Sequence, residues 1–219
     1  MVMAAEKLSN QQRYEMLTKF GIGQATGLNL PGESRGMLSS PSAWDGRTKN
    51  TVLFGQGYTV NALQLSRLVS VIANKGVNRQ QSLIKSVTDK NGKAISKLNT
   101  SATRVLDEKI ADQIKNAMES ALEEYKDVDG VSGYRVAVKS GTAEVVGDDG
   151  KLSSIVADFA GIIPADNPRF IVTVVMQDPD GLYGGTTSGK LFAKIGEFLI
   201  QKYDIPNSAA RTDAIPVEW

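Results

Sequence analysis

Four consecutive residues, Lys139, Ser140, Gly141 and Thr142, interrupt the β-forming run VAVKSGTAEVVG at 136–147. Packing alone would favour apolar alternation there. On a strand, successive side chains point to opposite faces. Lys139 and Gly141 therefore share one face, and Ser140 and Thr142 share the other. The ammonium and the two hydroxyls are donors suited to an anion such as a carboxylate. Glycine lets another backbone approach closely, and an exposed strand can take up an extended peptide by strand addition. A merely solvated strand face has the same composition, so the surroundings must decide.

Two other stretches resemble chemical motifs. SLIK at 82–85 has the Ser-x-x-Lys spacing of a serine nucleophile and its lysine base. That chemistry needs a helix, where positions i and i+3 share a face. The stretch reads as a strand, which sends Ser82 and Lys85 to opposite sides, and the match is set aside. GGTTSGKL at 184–191 is one residue from a phosphate-binding loop, but Leu191 stands where Ser or Thr would hold magnesium. The strand before it belongs to an antiparallel set, whereas such loops sit in parallel sheets. A nucleotide binder stays the least favoured alternative, and a glycine-rich turn capping a helix is the plainer reading.

Composition removes whole classes of chemistry. The 219 residues contain no cysteine and no histidine. Thiol catalysis, disulfides and thiolate metal sites are excluded, as are the Ser-His-Asp triad and nearly every zinc or non-haem iron site. Acid–base work must fall to Lys, Tyr or carboxylates, and no cofactor or metal is called for. A formal charge of +1 gives no reason to expect nucleic acid or an anionic membrane as partner. The longest apolar run, FIVTVV, cannot span a bilayer. No leader pattern opens the chain, so any targeting segment is expected outside it.

The elements that must position these residues follow from periodicity. A helix is predicted over 2–20, with Leu8, Met16, Leu17 and Phe20 near one face. A long loop over 21–50 and an extended segment at 51–60 precede a helix over 61–76, with Gly76 at its C-terminus. Residues 81–98 read as a hairpin turning at Asn91-Gly92. An amphipathic helix with acids in its first turn covers 107–125. Strands at 134–145, 153–163 and 169–177 joined by tight turns imply an antiparallel meander. A last helix over 188–203 places Leu191, Phe192, Ile195, Phe198 and Leu199 on its apolar stripe. The expected class is α+β, a three-stranded antiparallel sheet covered by helices. Residues 1–205 are taken as one domain portion and 206–219 as an irregular tail.

Several ordered motifs carry a family resemblance over almost the whole chain. FGIGQATGLNLPGES (20–34), FGQGYTVNALQLSRLVSVIANKG (54–76), YRVAVKSGTAEV (134–145) and FAGIIPADNPRF running on to YGG (159–185) resemble, in sequence, the C-terminal part of the transpeptidase domain of class B penicillin-binding proteins. The resemblance implies a β-lactamase/transpeptidase-like fold, incomplete at its N-terminal side. It implies a serine acyl-enzyme that cross-links peptidoglycan stem peptides ending in D-Ala–D-Ala and is acylated by β-lactams. It also implies an extracytoplasmic, membrane-anchored parent protein working with the cell-wall synthesis machinery of division or cell shape. By the same resemblance, Lys139 supplies positive potential and supports the proton network. Ser140 and Thr142, with Gly141 between them, bind the terminal carboxylate, and the backbone N–H of Ala143 donates to the oxyanion. Tyr183, Gly184 and Gly185 line the cleft.

Of the family's three motifs, Ser-x-x-Lys, Ser-x-Asn and Lys-(Ser/Thr)-Gly, only the third is present once SLIK is set aside. The nucleophile, its base and two further sheet strands are expected upstream, in the remainder of the same domain. This chain is then expected to be a fragment, inactive alone. A β-lactam sensor or β-lactamase-related domain is the alternative reading.

Overall fold

The computed structural model describes residues 2–96, 101–125, 131–146, 150–181 and 183–216. The chain divides into two compact units, residues 1–71 with 77–106 and residues 72–76 with 107–219.

In the first unit the expected N-terminal helix is split. A 3-10 turn at Met3–Ala5 is followed by α1 (Asn10–Lys19). Ser9 starts α1 through a capping box: its hydroxyl accepts from Gln12 N–H, and the Gln12 side chain accepts from Ser9 N–H. That reciprocal pair satisfies helix-end amides and sets the boundary, which the spacing of apolar residues did not reveal. Leu8 and Met16, expected on the buried face, are exposed. The segment 51–60 is not extended throughout. A short α2 (Thr48–Thr51) runs into a 3-10 turn at Val52–Phe54, and only an isolated bridge joins Thr59 to Met37.

Helix α3 (Ala62–Ala73) forms where predicted, and its entrance braces the loop before it. Asn61 and Gln64 cap each other, each side-chain oxygen accepting the other's backbone N–H at 2.8 Å. The Gln64 side chain is fully buried, and its amide donates to the carbonyls of Gln24 (2.8 Å) and Arg35 (2.9 Å). Glu33 adds a second brace by accepting the Thr26 N–H at 2.7 Å. Buried backbone polar groups must find partners, and these side chains supply them where no regular structure does. Strand β1 (Val77–Arg79) pairs with β4 (Ala102–Arg104), a ladder the sequence did not announce. Strands β2 (Val87–Thr88) and β3 (Ala94–Ser96) form the expected hairpin, with Gly92 at φ 82° in its turn. SLIK lies outside the hairpin as irregular chain. The hydroxyl of Ser82 is spent on the Ile84 backbone, donating to its carbonyl and accepting its N–H.

The second unit is built on the meander. Strands β5 (Ala137–Val146), β6 (Leu152–Ile163) and β7 (Phe170–Gln177) are antiparallel in the order β5-β6-β7. One face carries the core: Val138, Phe159, Val172 and Val174 pack with Phe192 and Ile200 of α5 (Ser188–Lys202). Helix α4 (Glu108–Ala121) continues into a 3-10 turn whose Leu122, with Tyr125 just beyond, packs against the same cluster. Two positions expected on the α5 stripe, Leu191 and Phe198, are exposed; Ile200 takes the buried place instead.

Residues 206–216 have no regular secondary structure, yet they are bound along α4. Arg211 donates to the Asn116 carbonyl and the Ser120 hydroxyl, and Ile215 N–H also meets Ser120. Buried Glu119 holds Arg135 through two hydrogen bonds of 2.7 and 3.0 Å, and Arg211 lies 3.8 Å away. Removing the shared carboxylate strands two part-buried cations. Glu119→Ala is therefore expected to lower the stability of the chain by about 3–5 kcal/mol in urea unfolding, and a loss under about 1 kcal/mol would show the network to be idle.

Candidate active site

Among the described residues, strand β5 lies at one edge of its sheet, with only β6 beside it. Register decides which of its backbone groups face that open edge. Gly141 pairs with Asp158, Thr142 with Ala157 and Ala143 with Val156. In an antiparallel ladder the backbone groups of alternate residues point to opposite neighbours. Ile155 accepts from Asp178 N–H beyond β7, which turns odd-numbered residues of β6 towards β7 and even-numbered ones towards β5. Gly141 and Ala143 therefore bond into the β6 ladder, while Ser140 and Thr142 present their N–H and C=O to the open edge. The expectation that Ala143 offers its amide to the cleft is not met by this register; the outward amide of the motif is that of Thr142.

The two hydroxyls meet as alternation predicts. Ser140 and Thr142 both line a cavity of about 380 Å³, together with Glu124, Tyr125, Thr186 and the loop Tyr183, Gly184 and Gly185. Gly184 N–H donates to Thr142 Oγ1 at 3.1 Å. A backbone amide can only donate, so Thr142 keeps its own proton for a ligand. Ser140 Oγ lies 2.8 Å from the Tyr125 hydroxyl. Lys139 sits on the opposite face and does not line the cavity; its ammonium donates to the outward Ser140 carbonyl at 2.6 Å. Ala143 shares the Lys139 face and is likewise outside the cavity.

Two glycines hold this wall together by what they lack. A Cβ on Gly184 would come within 2.4 Å of the carbonyl oxygens of both Gly141 and Asp158. The loop before α5 can therefore lie flat on the β5–β6 pair only with glycine there. On the other face, a Cβ on Gly141 would meet the Asp158 carboxylate at 2.1 Å. Asp158 fills the space that a side chain at 141 would take. Burial pushes its carboxyl above the usual range, and the charge of Lys139 pulls it back. No motif pointed to Asp158; the available signal was an acid inside the apolar run IVADFAGII. The near phosphate-loop also resolves here. Its lead-in strand β7 is antiparallel, the Gly184 amide is committed to Thr142, and the buried Ser188 hydroxyl donates to the Ala157 carbonyl at 2.8 Å. Among the described residues no cluster of acids suited to a metal ion occurs.

An antiparallel sheet with helices on one face and a Lys-Ser-Gly-Thr edge strand lining a donor-rich cleft defines a penicillin-recognising transpeptidase fold. The chain belongs to the penicillin-binding protein transpeptidase domain family, whose model matches residues 1–197. It is similar along its whole length to a peptidoglycan synthetase from Bifidobacterium adolescentis, at 59% identity and a TM-score of 0.92, covering 40% of that chain. It is also similar to penicillin-binding protein 3 of Mycobacterium tuberculosis in complex with ampicillin, at 28% identity and a TM-score of 0.85 over 95% of this chain and 49% of that one. The peptidoglycan D,D-transpeptidase FtsI of Escherichia coli is 34% identical over 89% of this chain. This chain spans only 32% of the length of that protein.

The two glycine contacts predict different genetics. Gly141→Ala is expected to cost about 1–3 kcal/mol through overpacking. Asp158→Ala in the same chain should recover most of that loss, because the clash is with a side chain. Gly184→Ala clashes with backbone, and Asp158→Ala should not rescue it; thermal melts of the four variants distinguish the cases. The raised Asp158 pKa has a further consequence. Its contribution to stability is fully present below the ordinary carboxylate pKa and is lost as pH rises through the raised value. Asp158→Asn should flatten that part of the stability–pH profile.

Proposed function

We propose that this chain supplies the carboxylate-binding wall and one oxyanion donor of a peptidoglycan D,D-transpeptidase. The observation that carries the reading is the pair of hydroxyls, Ser140 and Thr142, on one cavity wall beside the outward amide of Thr142. Thr142 has a proton to give, because its oxygen already accepts the Gly184 amide. A terminal carboxylate in the cavity would receive charge-assisted hydrogen bonds from both hydroxyls. With the carboxylate anchored, the adjoining amide carbonyl would lie along the open edge of β5, where the Thr142 N–H can meet its oxygen. Lys139, held against the Ser140 carbonyl behind that edge, adds positive potential for an anionic ligand.

The chemistry then runs through a serine in another part of the domain. Its oxygen attacks the carbonyl carbon of the D-Ala–D-Ala amide, and its proton passes to a base. The tetrahedral oxyanion is held by the Thr142 amide and by a second donor. Collapse breaks the C–N bond and releases D-alanine, which leaves with a proton. An acceptor amine attacks the acyl-enzyme, loses a proton, and frees the serine with a cross-link formed. One oxyanion donor of this type is worth about 2.7–4 kcal/mol of transition-state stabilisation. A β-lactam presents the same carboxylate and acylates the same serine without a leaving group that departs. In the parent protein the domain works outside the cell membrane, on stem peptides and alongside other cell-wall enzymes. No helix among the described residues is long and apolar enough to cross a membrane.

Labelling by fluorescent penicillin tests the reading. In the full-length protein, Ser140→Ala and Thr142→Ala should each slow labelling roughly 10- to 100-fold, since a hydrogen bond to a charged group is worth about 1.5–3 kcal/mol. The 219-residue chain alone should remain unlabelled. Wild-type labelling of both variants would sink the clamp, and a labelled band from the chain alone would place the nucleophile within it.

A further inference from the structure

The cavity contains a residue that no motif identifies. Tyr125 stands 15 positions before Ser140 in sequence, at the end of the 3-10 turn after α4, and its hydroxyl lies 2.8 Å from Ser140 Oγ. The ring is held on two sides. It meets Phe159 edge-on, with centroids 5.3 Å apart at 75°, and Phe159 is itself packed on Phe192 of α5 at 5.1 Å. Gly185 lies against its other side, so close that a Cβ there would come 2.8 Å from Tyr125 Cδ1. Its backbone N–H closes the turn on the Leu122 carbonyl at 3.0 Å. A phenol placed this firmly delivers its hydroxyl to one point, and that point is Ser140.

We infer that Tyr125 is a positioning residue for the carboxylate clamp: its hydroxyl orients Ser140 and leaves that serine's proton directed at the ligand. The inference rests on the clamp reading above. Proton counting supports it. Tyr125 and Ser140 hold two hydroxyl protons and share one hydrogen bond, so one proton is left for the cavity whichever of them donates. A phenol O–H is a stronger hydrogen-bond donor than an aliphatic alcohol O–H. Tyr125 therefore donates to Ser140 Oγ, and the Ser140 O–H is the spare donor. A hydrogen bond received at its oxygen also polarises the Ser140 O–H, strengthening the bond it gives by ~10–30%. The two clamp hydroxyls are then treated alike. Each oxygen accepts one fixed donor, Gly184 N–H at Thr142 and Tyr125 O–H at Ser140, and each proton points to the same ligand.

The test uses the full-length protein with benzylpenicillin, which carries the carboxylate, and its methyl ester, which does not. Stopped-flow acylation separates the dissociation constant of the encounter complex from the acylation rate constant. Tyr125→Phe keeps the ring and deletes only the hydroxyl. It should weaken benzylpenicillin binding about 3- to 10-fold and leave the ester unaffected, with the loss falling on binding rather than on acylation. The double variant Tyr125→Phe/Ser140→Ala should bind no worse than Ser140→Ala alone, because Tyr125 acts through Ser140. A melting temperature within about 2 °C of the parent protein separates positioning from general loosening. Wild-type affinity in Tyr125→Phe, equal weakening towards acid and ester, or strict additivity with Ser140→Ala would each overturn the inference while leaving the clamp intact. Wild-type affinity in Ser140→Ala would overturn the clamp, and this inference with it.

Discussion

The contact of Gly184 with the Gly141–Asp158 pair is the constraint on which the site depends. A loop backbone laid within van der Waals reach of two ladder carbonyls fixes the height of the segment that opens α5. From that height the Gly184 amide reaches Thr142, the Tyr183 carbonyl gathers the amides of Thr186 and Thr187, and Ser188 anchors the helix start to the Ala157 carbonyl. α5 then brings Phe192 onto Phe159, and Phe159 steadies Tyr125. One close approach, open only to glycine, thus sets both the roof of the cavity and, through the aromatic stack, its floor.

The edge position of β5 carries a risk and a use. Unpaired strand groups invite association with any extended chain, and here the outward amides belong to Ser140 and Thr142. Lys139 covers part of that exposure by bonding the Ser140 carbonyl from the other face. The side chains assigned to the proposed ligand site, two hydroxyls and a lysine, are also ones that make the strand a poor partner for indiscriminate pairing. Function and protection of the edge draw on the same residues.

The motifs that made the family legible in the sequence turn out to have two kinds of cause. Ser140 and Thr142 line the cavity, with Lys139 and Gly141 on the strand's other face. Glu33, Asn61 and Gln64, which carry much of the resemblance in the first half, brace a loop of little regular structure by satisfying its backbone. A buried amide with several carbonyl partners tolerates few replacements, and such a residue marks a fold as clearly as a catalytic group does. Tyr125 and Asp158 belong to neither pattern: each acts across a distance in sequence, and each touches a motif residue without being in a motif.

From the sequence alone followed the meander, the helices at α3, α4 and α5, the exclusion of thiol and imidazole chemistry, and the common face of Ser140 and Thr142. These depend on local periodicity and on residue type, which a linear chain displays in full. Tertiary structure decided the rest. It placed the outward amide on Thr142 rather than Ala143, because ladder parity is set by pairing with β6. It put Leu191 and Phe198 in solvent, because α5 packs on the sheet through the side that carries Phe192 and Ile200. It broke the first helix at Ser9, and it brought Tyr125 and Asp158 to the motif, because only pairing and packing bring distant residues to one place.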